Sequence, residues 1–161
     1  MLVRLMLLGC TARALVRPRA ARCRAFALNA RKPGVADPAA LAAFVAKAGP
    51  NIIILDVRNL DFEKEPGDAL SAAKASIGGD VGARPRALNV VYDRETSSMD
   101  LTTIPADWLA GGIATAPVVT HCGGGGRGEK AKAFLEKNGF GNVINGGGPE
   151  DAECWNEFGA L

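Results

Sequence analysis

One cysteine in the C-terminal half of the chain opens a loop of unusual composition. Cys122 is followed by six residues that carry either no side chain or a guanidinium: Gly123, Gly124, Gly125, Gly126, Arg127 and Gly128. Consecutive glycines let the backbone curl tightly, so that successive N–H groups can converge on one anion. Arg127 adds a planar fork suited to oxyanions. These residues therefore predict a cradle that binds an anionic substrate.

Cys122 is the residue that we expect to carry the chemistry of this loop. A helix is predicted directly after the glycines, and helix N-termini and nearby cations favour the thiolate form of cysteine. A flexible glycine turn beside a small buried cysteine is the alternative. The order of strand, cysteine, glycines, arginine and helix favours a nucleophile held beside an anion site.

Short apolar strands alternate with helices in the part of the chain that must hold this loop. Strands are predicted at 52–55, 87–91, 116–120 and 142–144, and helices at 38–48, 69–75, 104–109 and 129–137. The first helix has a capping residue in Asp37 and a proline at its first position in Pro38. This alternation predicts an α/β domain with a mostly parallel central sheet and helices on both faces. Ligands of such sheets bind at the carboxyl ends of strands, where Cys122 lies.

Four segments of the chain resemble the rhodanese (thiosulfate sulfurtransferase) family, especially its small single-domain type. The loop 122–128 resembles the family's active-site loop, and 55–58 contains its Asp-Val-Arg signature. Segment 82–90 is similar to the family's Gly-His-Ile-Pro stretch, and 139–148 is similar to its closing Gly-Phe-x-Asn-Val and Gly-Gly pattern. Together these matches extend from about Val35 to Trp155.

The resemblance implies a rhodanese-like fold and a sulfurtransferase activity. It implies that Cys122 carries sulfur as a persulfide, and that the residues from Gly123 to Gly128 bind the donor. The donor would be thiosulfate or a similar small anion, and the acceptor would be cyanide or a thiol that is glutathione- or thioredoxin-like. No metal or organic cofactor is expected.

Two other functions remain open at the level of the sequence. Cysteine phosphatases and arsenate reductases resemble His-Cys-x5-Arg, whereas four residues separate Cys122 from Arg127 here, which favours attack on sulfur over phosphate binding. Ala83 replaces the usual histidine of the Gly-His-Ile-Pro stretch, and the interior of the loop is all glycine. These departures motivate a non-catalytic persulfide carrier or protein-binding module as the second hypothesis.

Other reactive side chains receive structural interpretations. His121 is the only histidine, and neighbouring strand residues point to opposite faces, so we expect a structural hydrogen bond and not a base for Cys122. Asp56 is expected to be structural, and Cys154 is expected to be buried beside Trp155. The cysteine spacing offers no metal site. Among the arginines, Arg94 is the best candidate for the pocket rim.

The N-terminal segment differs in charge from the rest of the chain. Residues 1–36 contain seven arginines, one lysine and no acid. This composition is typical of an organelle presequence. We therefore predict a leader at 1–34 and a domain at 35–161, and import into the mitochondrial matrix, with a plastid as the alternative. Segment 24–27 resembles a mitochondrial cleavage motif.

Charge and hydropathy exclude two classes of partner. The chain has a formal charge of +2, but cleavage near Phe26 would leave 13 basic against 17 acidic residues, a net charge of −4. A mildly acidic domain is not expected to bind nucleic acid. No apolar run approaches the roughly 18 residues of a membrane-spanning helix, so stable membrane insertion is not expected.

Overall fold

A computed structural model describes residues 31–78 and 86–160. The leader predicted at 1–34 falls almost entirely outside these residues, together with its cleavage motif. Ala83 and most of the Gly-His-Ile-Pro-like stretch also lie outside them. Residues 31–34 are described and contact the domain, since the carbonyl oxygen of Gly34 accepts a hydrogen bond from Asn145 Nδ2 at 3.2 Å.

The described chain contains four strands and four α-helices. They are α1 Pro38–Ala48, β1 Ile53–Asp56, α2 Pro66–Ala72, β2 Ala87–Asn89, β3 Val118–His121, α3 Gly126–Lys137, β4 Val143–Asn145 and α4 Ala152–Phe158. The strands form one sheet in the order β2-β1-β3-β4, and every pairing is parallel. The predicted α/β architecture with a parallel sheet is confirmed.

The two faces of the sheet pack against different helices. Ile53 and Leu55 of β1 join a core with Leu135 of α3, whereas the intervening Ile54 joins a core with Leu41 of α1 and with α4. This alternation follows from the two-residue period of a strand. The apolar run at 52–55 therefore packs against two apolar surfaces at once, and helices cover both faces as predicted.

The helix boundaries show how well the capping residues and prolines in the sequence predict where each helix begins. Helix α1 has the predicted bounds, and the Asp37 carboxylate accepts a hydrogen bond from the Ala39 N–H at 2.9 Å. Helix α2 begins at Pro66, three residues before the predicted start, because proline suits the first helical position. Helix α3 likewise begins at Gly126 and not at Glu129, so it starts inside the glycine loop.

Two elements differ in kind from the prediction. The predicted helix at 104–109 is replaced by two short 3₁₀ turns, Leu101–Thr103 and Ala106–Leu109, on either side of Pro105. Helix α4 was not predicted; the Asp151 side chain caps it by accepting a hydrogen bond from the Cys154 N–H at 3.3 Å. Each strand lies within one or two residues of its predicted start.

Candidate active site

Cys122 lies immediately after β3, at the carboxyl edge of the sheet. Its backbone N–H donates a hydrogen bond to the Gly147 carbonyl oxygen at 3.0 Å, which ties the start of the loop to the segment after β4. The Gly125 N–H donates to Cys122 Sγ at 3.2 Å. The loop therefore curls so that one of its own amides points at the sulfur. Cys122 as a whole residue is 6% exposed, and it lines a pocket.

Gly123 and Gly124 lie against side chains of other segments. A Cβ at Gly123 would lie 2.8 Å from Glu150 Oε1 and 3.0 Å from Ser71 Cβ. A Cβ at Gly124 would lie 2.6 Å from Lys32 Nζ and would also collide with Glu150. Buried Ser71 therefore limits a side chain at Gly123, whereas the exposed ends of Lys32 and Glu150 can move away from a side chain at Gly124.

Gly125 is the position where the loop needs the conformational freedom of glycine. Its φ angle is +90°, and a Cβ there would collide with Val35 Cγ2 and approach Gly147 Cα to 2.9 Å. Gly126 differs, since the nearest atom to its added Cβ is Lys32 Cδ at 3.9 Å. The backbone geometry thus fixes glycine at 125 but not at 126.

Gly128 packs the first turn of α3 against the sheet. A Cβ at this residue would lie 2.5 Å from Asn145 Oδ1. Its carbonyl oxygen accepts a hydrogen bond from Thr120 Oγ1 at 2.9 Å, and Asn145 Nδ2 donates to the Gly125 carbonyl oxygen at 3.0 Å. Gly128 is buried and is not among the pocket residues, so its position holds the loop from below.

Arg127 is buried and pairs with two carboxylates, one just before α2 and one within it. Its Nη1 donates to Asp68 Oδ2 at 2.5 Å, and its Nη2 lies 3.0 Å from Glu65 Oε2. The residue is only 5% exposed, and its Nε is buried with no hydrogen-bond partner in the described part of the chain. Glu65 also pairs with Arg94 Nε at 3.1 Å. Arg127 lines the pocket, but these ion pairs engage both of its terminal nitrogens.

A pocket of about 370 Å³ opens above Cys122. This volume is near the lower end of the range for small-molecule sites, about 300–1,000 Å³. The pocket brings together loop residues, two basic side chains of other segments and the acidic side of α2. Its lining includes Lys32, Glu65, Gly67, Asp68, Arg94, Cys122, Gly123, Gly124, Gly126, Arg127, Lys130 and Glu150.

The Asp-Val-Arg segment forms a buried ion pair next to the loop. Arg58 is fully buried, and its Nη2 lies 2.6 Å from Asp56 Oδ2. Burial alone would raise the pKa of the Asp56 carboxyl, but His121 and Arg58 outweigh burial and hold that pKa below its ordinary value. Arg58 Nη1 also donates to the Ala75 carbonyl oxygen at 2.9 Å. This geometry agrees with the expected structural role of Asp56.

His121 points away from the cysteine that follows it. Its ring centroid lies 5.2 Å from that of Trp155 and 5.4 Å from that of Phe158, on the α4 side of the sheet. Cys122 instead packs with the core on the α3 side. The opposite orientation of the two side chains is confirmed, while the hydrogen bond expected for His121 stays a prediction.

Cys154 occupies a very different environment from Cys122. It is fully buried in the first turn of α4, and its Sγ donates a hydrogen bond to the Ala36 carbonyl oxygen at 3.4 Å. Burial and the nearby Asp151 carboxylate raise the pKa of the Cys154 thiol to about 11. Its predicted burial is confirmed, and it is held as a neutral thiol.

Several pocket residues were not singled out from the sequence. Glu65 and Asp68 fall in the connection 59–82, which lacks a clear periodic pattern, and Glu150 follows a glycine-rich turn. Lys130 carried a usable signal, because it lies four residues after Gly126 and therefore on the same face of a helix. Arg94 was only a candidate for the rim; it lines the pocket, and it also forms an ion pair with Glu65.

Neither a metal cluster nor a membrane-spanning helix occurs within 31–78 and 86–160. No group of three or more histidine, cysteine, aspartate or glutamate residues in these ranges has the proximity to hold a metal ion. No helix among them is both long and apolar enough to cross a membrane. Comparisons with models of protein families, with curated proteins and with solved structures find no match to this chain.

Proposed function

We propose that this chain is a sulfurtransferase with a rhodanese-like domain, and that it transfers sulfane sulfur through a persulfide on Cys122. One observation carries the proposal: Cys122 lines the pocket just before α3, and its Sγ accepts a hydrogen bond from the Gly125 N–H at 3.2 Å. A backbone donor aimed at sulfur, together with the dipole of a helix N-terminus, stabilises negative charge on that atom.

In the first step, the Cys122 thiolate attacks the outer sulfur of a donor such as thiosulfate. A sulfur–sulfur bond forms to Cys122, and the bond between the two donor sulfurs breaks. Sulfite leaves with the electron pair of the broken bond. The outer sulfur then carries the negative charge as a persulfide, within reach of the glycine-loop amides.

In the second step, an acceptor removes the outer sulfur and regenerates the thiolate. Cyanide would leave as thiocyanate, and a thiol such as glutathione or a thioredoxin-like protein would leave as its persulfide. Both steps are nucleophilic displacements at sulfur, so the scheme requires no metal ion and no organic cofactor. The two half-reactions predict ping-pong kinetics.

The experiment that tests this proposal uses the full chain and separates Cys122 from Cys154. After incubation with thiosulfate alone, the wild type and Cys154→Ser should each gain the mass of one sulfur atom on Cys122. Both should then convert cyanide to thiocyanate. Cys122→Ser should do neither. Turnover that survives in Cys122→Ser, or a wild type that gains no sulfur, would contradict the proposal.

A persulfide carrier that receives sulfur from a partner protein is the second candidate. The ion pairs of Arg127 with Asp68 and Glu65 favour it, because they occupy nitrogens that would otherwise bind a small anionic donor. A carrier would show negligible turnover with thiosulfate and cyanide, yet would accept sulfur on Cys122 from a protein persulfide. Rapid steady-state turnover with the small donor alone would exclude this candidate.

We also propose that the protein acts in the mitochondrial matrix. The arginine-rich, acid-free composition of residues 1–36 supports this location, and a plastid is the alternative. A fluorescent reporter fused behind residues 1–36 should accumulate in mitochondria. A matched fusion in which the arginines of this segment are replaced by glutamine should remain in the cytosol.

A further inference from the structure

The pocket around Cys122 has more cationic side chains than carboxylates, and most of these side chains form ion pairs with one another. Four cationic side chains and three carboxylates line the pocket: Lys32, Arg94, Arg127 and Lys130, against Glu65, Asp68 and Glu150. An anionic ligand is attracted most strongly to a cation whose charge no carboxylate neutralises. The pairing of each cation therefore determines where the anionic end of a donor can bind.

The two arginines of the pocket share the carboxylates near α2. Arg127 is engaged by Asp68 and Glu65, and Glu65 also binds Arg94. Arg127 is buried and both of its terminal nitrogens contact carboxylates, so an anion would compete with these carboxylates for them. Releasing a carboxylate from a buried arginine is costly because it leaves a buried charge without its partner.

The two lysines of the pocket differ in the same respect. Lys32 Nζ lies 3.7 Å from Glu150 Oε2. Lys130 has no carboxylate within ion-pair distance among residues 31–78 and 86–160. It lies one helical turn after Gly126, and both residues line the pocket. Lys130 is thus the pocket cation in the described ranges that no carboxylate neutralises.

We infer that Lys130 binds the anionic end of the sulfur donor while Cys122 attacks its outer sulfur. The inference rests on the proposed sulfur transfer for the identity of the ligand. Lys130 projects from α3, the helix whose first turn follows the glycine loop, so its ammonium and the unpaired N–H groups of that turn act on one anion. Arg127 then serves to fix α2 against the loop through Asp68 and Glu65.

Kinetics of Lys130→Gln in the full chain test this assignment. The KM for thiosulfate should rise about fivefold, the effect of removing one partly exposed ion pair, while kcat stays within about twofold because Cys122 is unchanged. Lys130→Arg should retain the wild-type KM. Methanethiosulfonate, which carries one negative charge where thiosulfate carries two, should show a smaller rise. The fivefold difference should shrink in high salt, which screens exposed charges.

Lys132→Gln is the matched control on the same helix. Lys132 pairs with Glu136 at 3.0 Å and does not line the pocket, so its removal should leave the KM for thiosulfate unchanged. Equal KM values for Lys130→Gln and Lys132→Gln would overturn the inference. A fall in kcat for Lys130→Gln without a change in KM would overturn it as well.

Equilibrium binding separates this inference from the proposed function. Calorimetric titration of Cys122→Ser with thiosulfate requires no sulfur transfer, and adding Lys130→Gln should raise the Kd about fivefold. If the wild type transfers no sulfur but this Kd still rises, the proposed function fails and Lys130 remains the anion-binding residue. If thiosulfate does not bind Cys122→Ser, or binds equally well without Lys130, the inference fails.

Discussion

Two loops leave the same edge of the sheet, and each contains a buried arginine with a carboxylate partner. The loop after β1 contains Arg58, which is bound to Asp56, and the loop after β3 contains Arg127, which is bound to Asp68. The first loop is closed, since Arg58 is fully buried and also donates to carbonyl oxygens at 75 and 76. The second opens on the pocket.

The difference between these loops lies in the backbone and not in the arginines. Both guanidiniums are committed to internal partners and hold one segment against another. The second loop is distinguished by a cysteine whose sulfur accepts a backbone hydrogen bond and by a run of glycines. Nearby Lys130 also forms no ion pair with a carboxylate of residues 31–78 and 86–160. An arginine at the end of a glycine loop is therefore insufficient evidence that it binds the substrate.

The largest loss of stability is expected when the ion pair between Asp56 and Arg58 in the closed loop is removed. Asp56→Asn should lower the free energy of unfolding by about 3–5 kcal/mol, because it leaves Arg58 buried without its counterion. Chemical denaturation followed by fluorescence measures this loss. A loss below about 1 kcal/mol would contradict the view that this pair holds the first loop closed.

The loss of unfolding free energy in Asp56→Asn should also depend on pH. The pKa of Asp56 is lowered in the folded protein, so its contribution to stability is complete above the pH at which the unfolded carboxyl titrates, about 4. The contribution is lost as pH falls through the lower folded-state pKa. The difference in unfolding free energy between wild type and Asp56→Asn should therefore narrow as the pH falls below about 4.

A smaller effect is expected in the open loop, at Gly125. Gly125→Ala should cost about 2–3 kcal/mol of unfolding free energy, because φ is +90° and the new methyl group collides with Val35. The matched control is Gly126→Ala, which has open space around its Cβ and should change stability by no more than about 0.5 kcal/mol. Equal losses of unfolding free energy in the two variants would contradict the view that the loop needs glycine at 125 and not at 126.

The connection between α2 and the open loop should be weaker than the Asp56 pair. Asp68→Asn should cost about 1–3 kcal/mol of unfolding free energy, because Arg127 keeps Glu65 as a partner when Asp68 is neutralised. The released Nη1 should also lower the KM for thiosulfate, since one more cationic group becomes available to an anion. A raised KM with unchanged stability would instead assign Asp68 a direct role in the donor site.

The smallest expected signal comes from Cys154 in the native protein. Iodoacetamide at pH 8 should alkylate Cys122 and leave Cys154 unmodified, because Cys154 is fully buried and its pKa is raised to about 11. Peptide mapping by mass spectrometry identifies each site. In guanidinium chloride both should react, which serves as the control. Modification of Cys154 in the folded protein would show that α4 opens readily.

Strong local signals made much of the fold predictable. Three of these signals depend only on neighbours in sequence, and each lies close to its predicted position. They are the apolar run at 52–55, the Asp37 cap with Pro38 and the glycine loop after Cys122. The parallel sheet followed from their alternation. Helix α4 was missed because it has only seven residues, too few for a helical repeat of apolar positions to stand out.

The pocket was less predictable because its walls come from distant segments. Glu65 and Asp68 reach Arg127 across about 60 residues of sequence, and Lys32 meets Glu150 from the opposite end of the domain. No spacing along the chain encodes such contacts. The sequence therefore identified the cysteine and its glycine loop, but not the carboxylates that engage the loop arginine.

The packing around the glycine loop also constrains how this sequence can vary among homologous chains. Substitution of Gly125 would require a positive φ and would bring a Cβ to 2.9 Å from Gly147 Cα, whereas position 126 is free of such a constraint. Homologues that keep this loop should therefore retain the glycine at 125 and vary freely at 126. Position 124 should vary as well, because the exposed ends of Lys32 and Glu150 can move away from a new side chain.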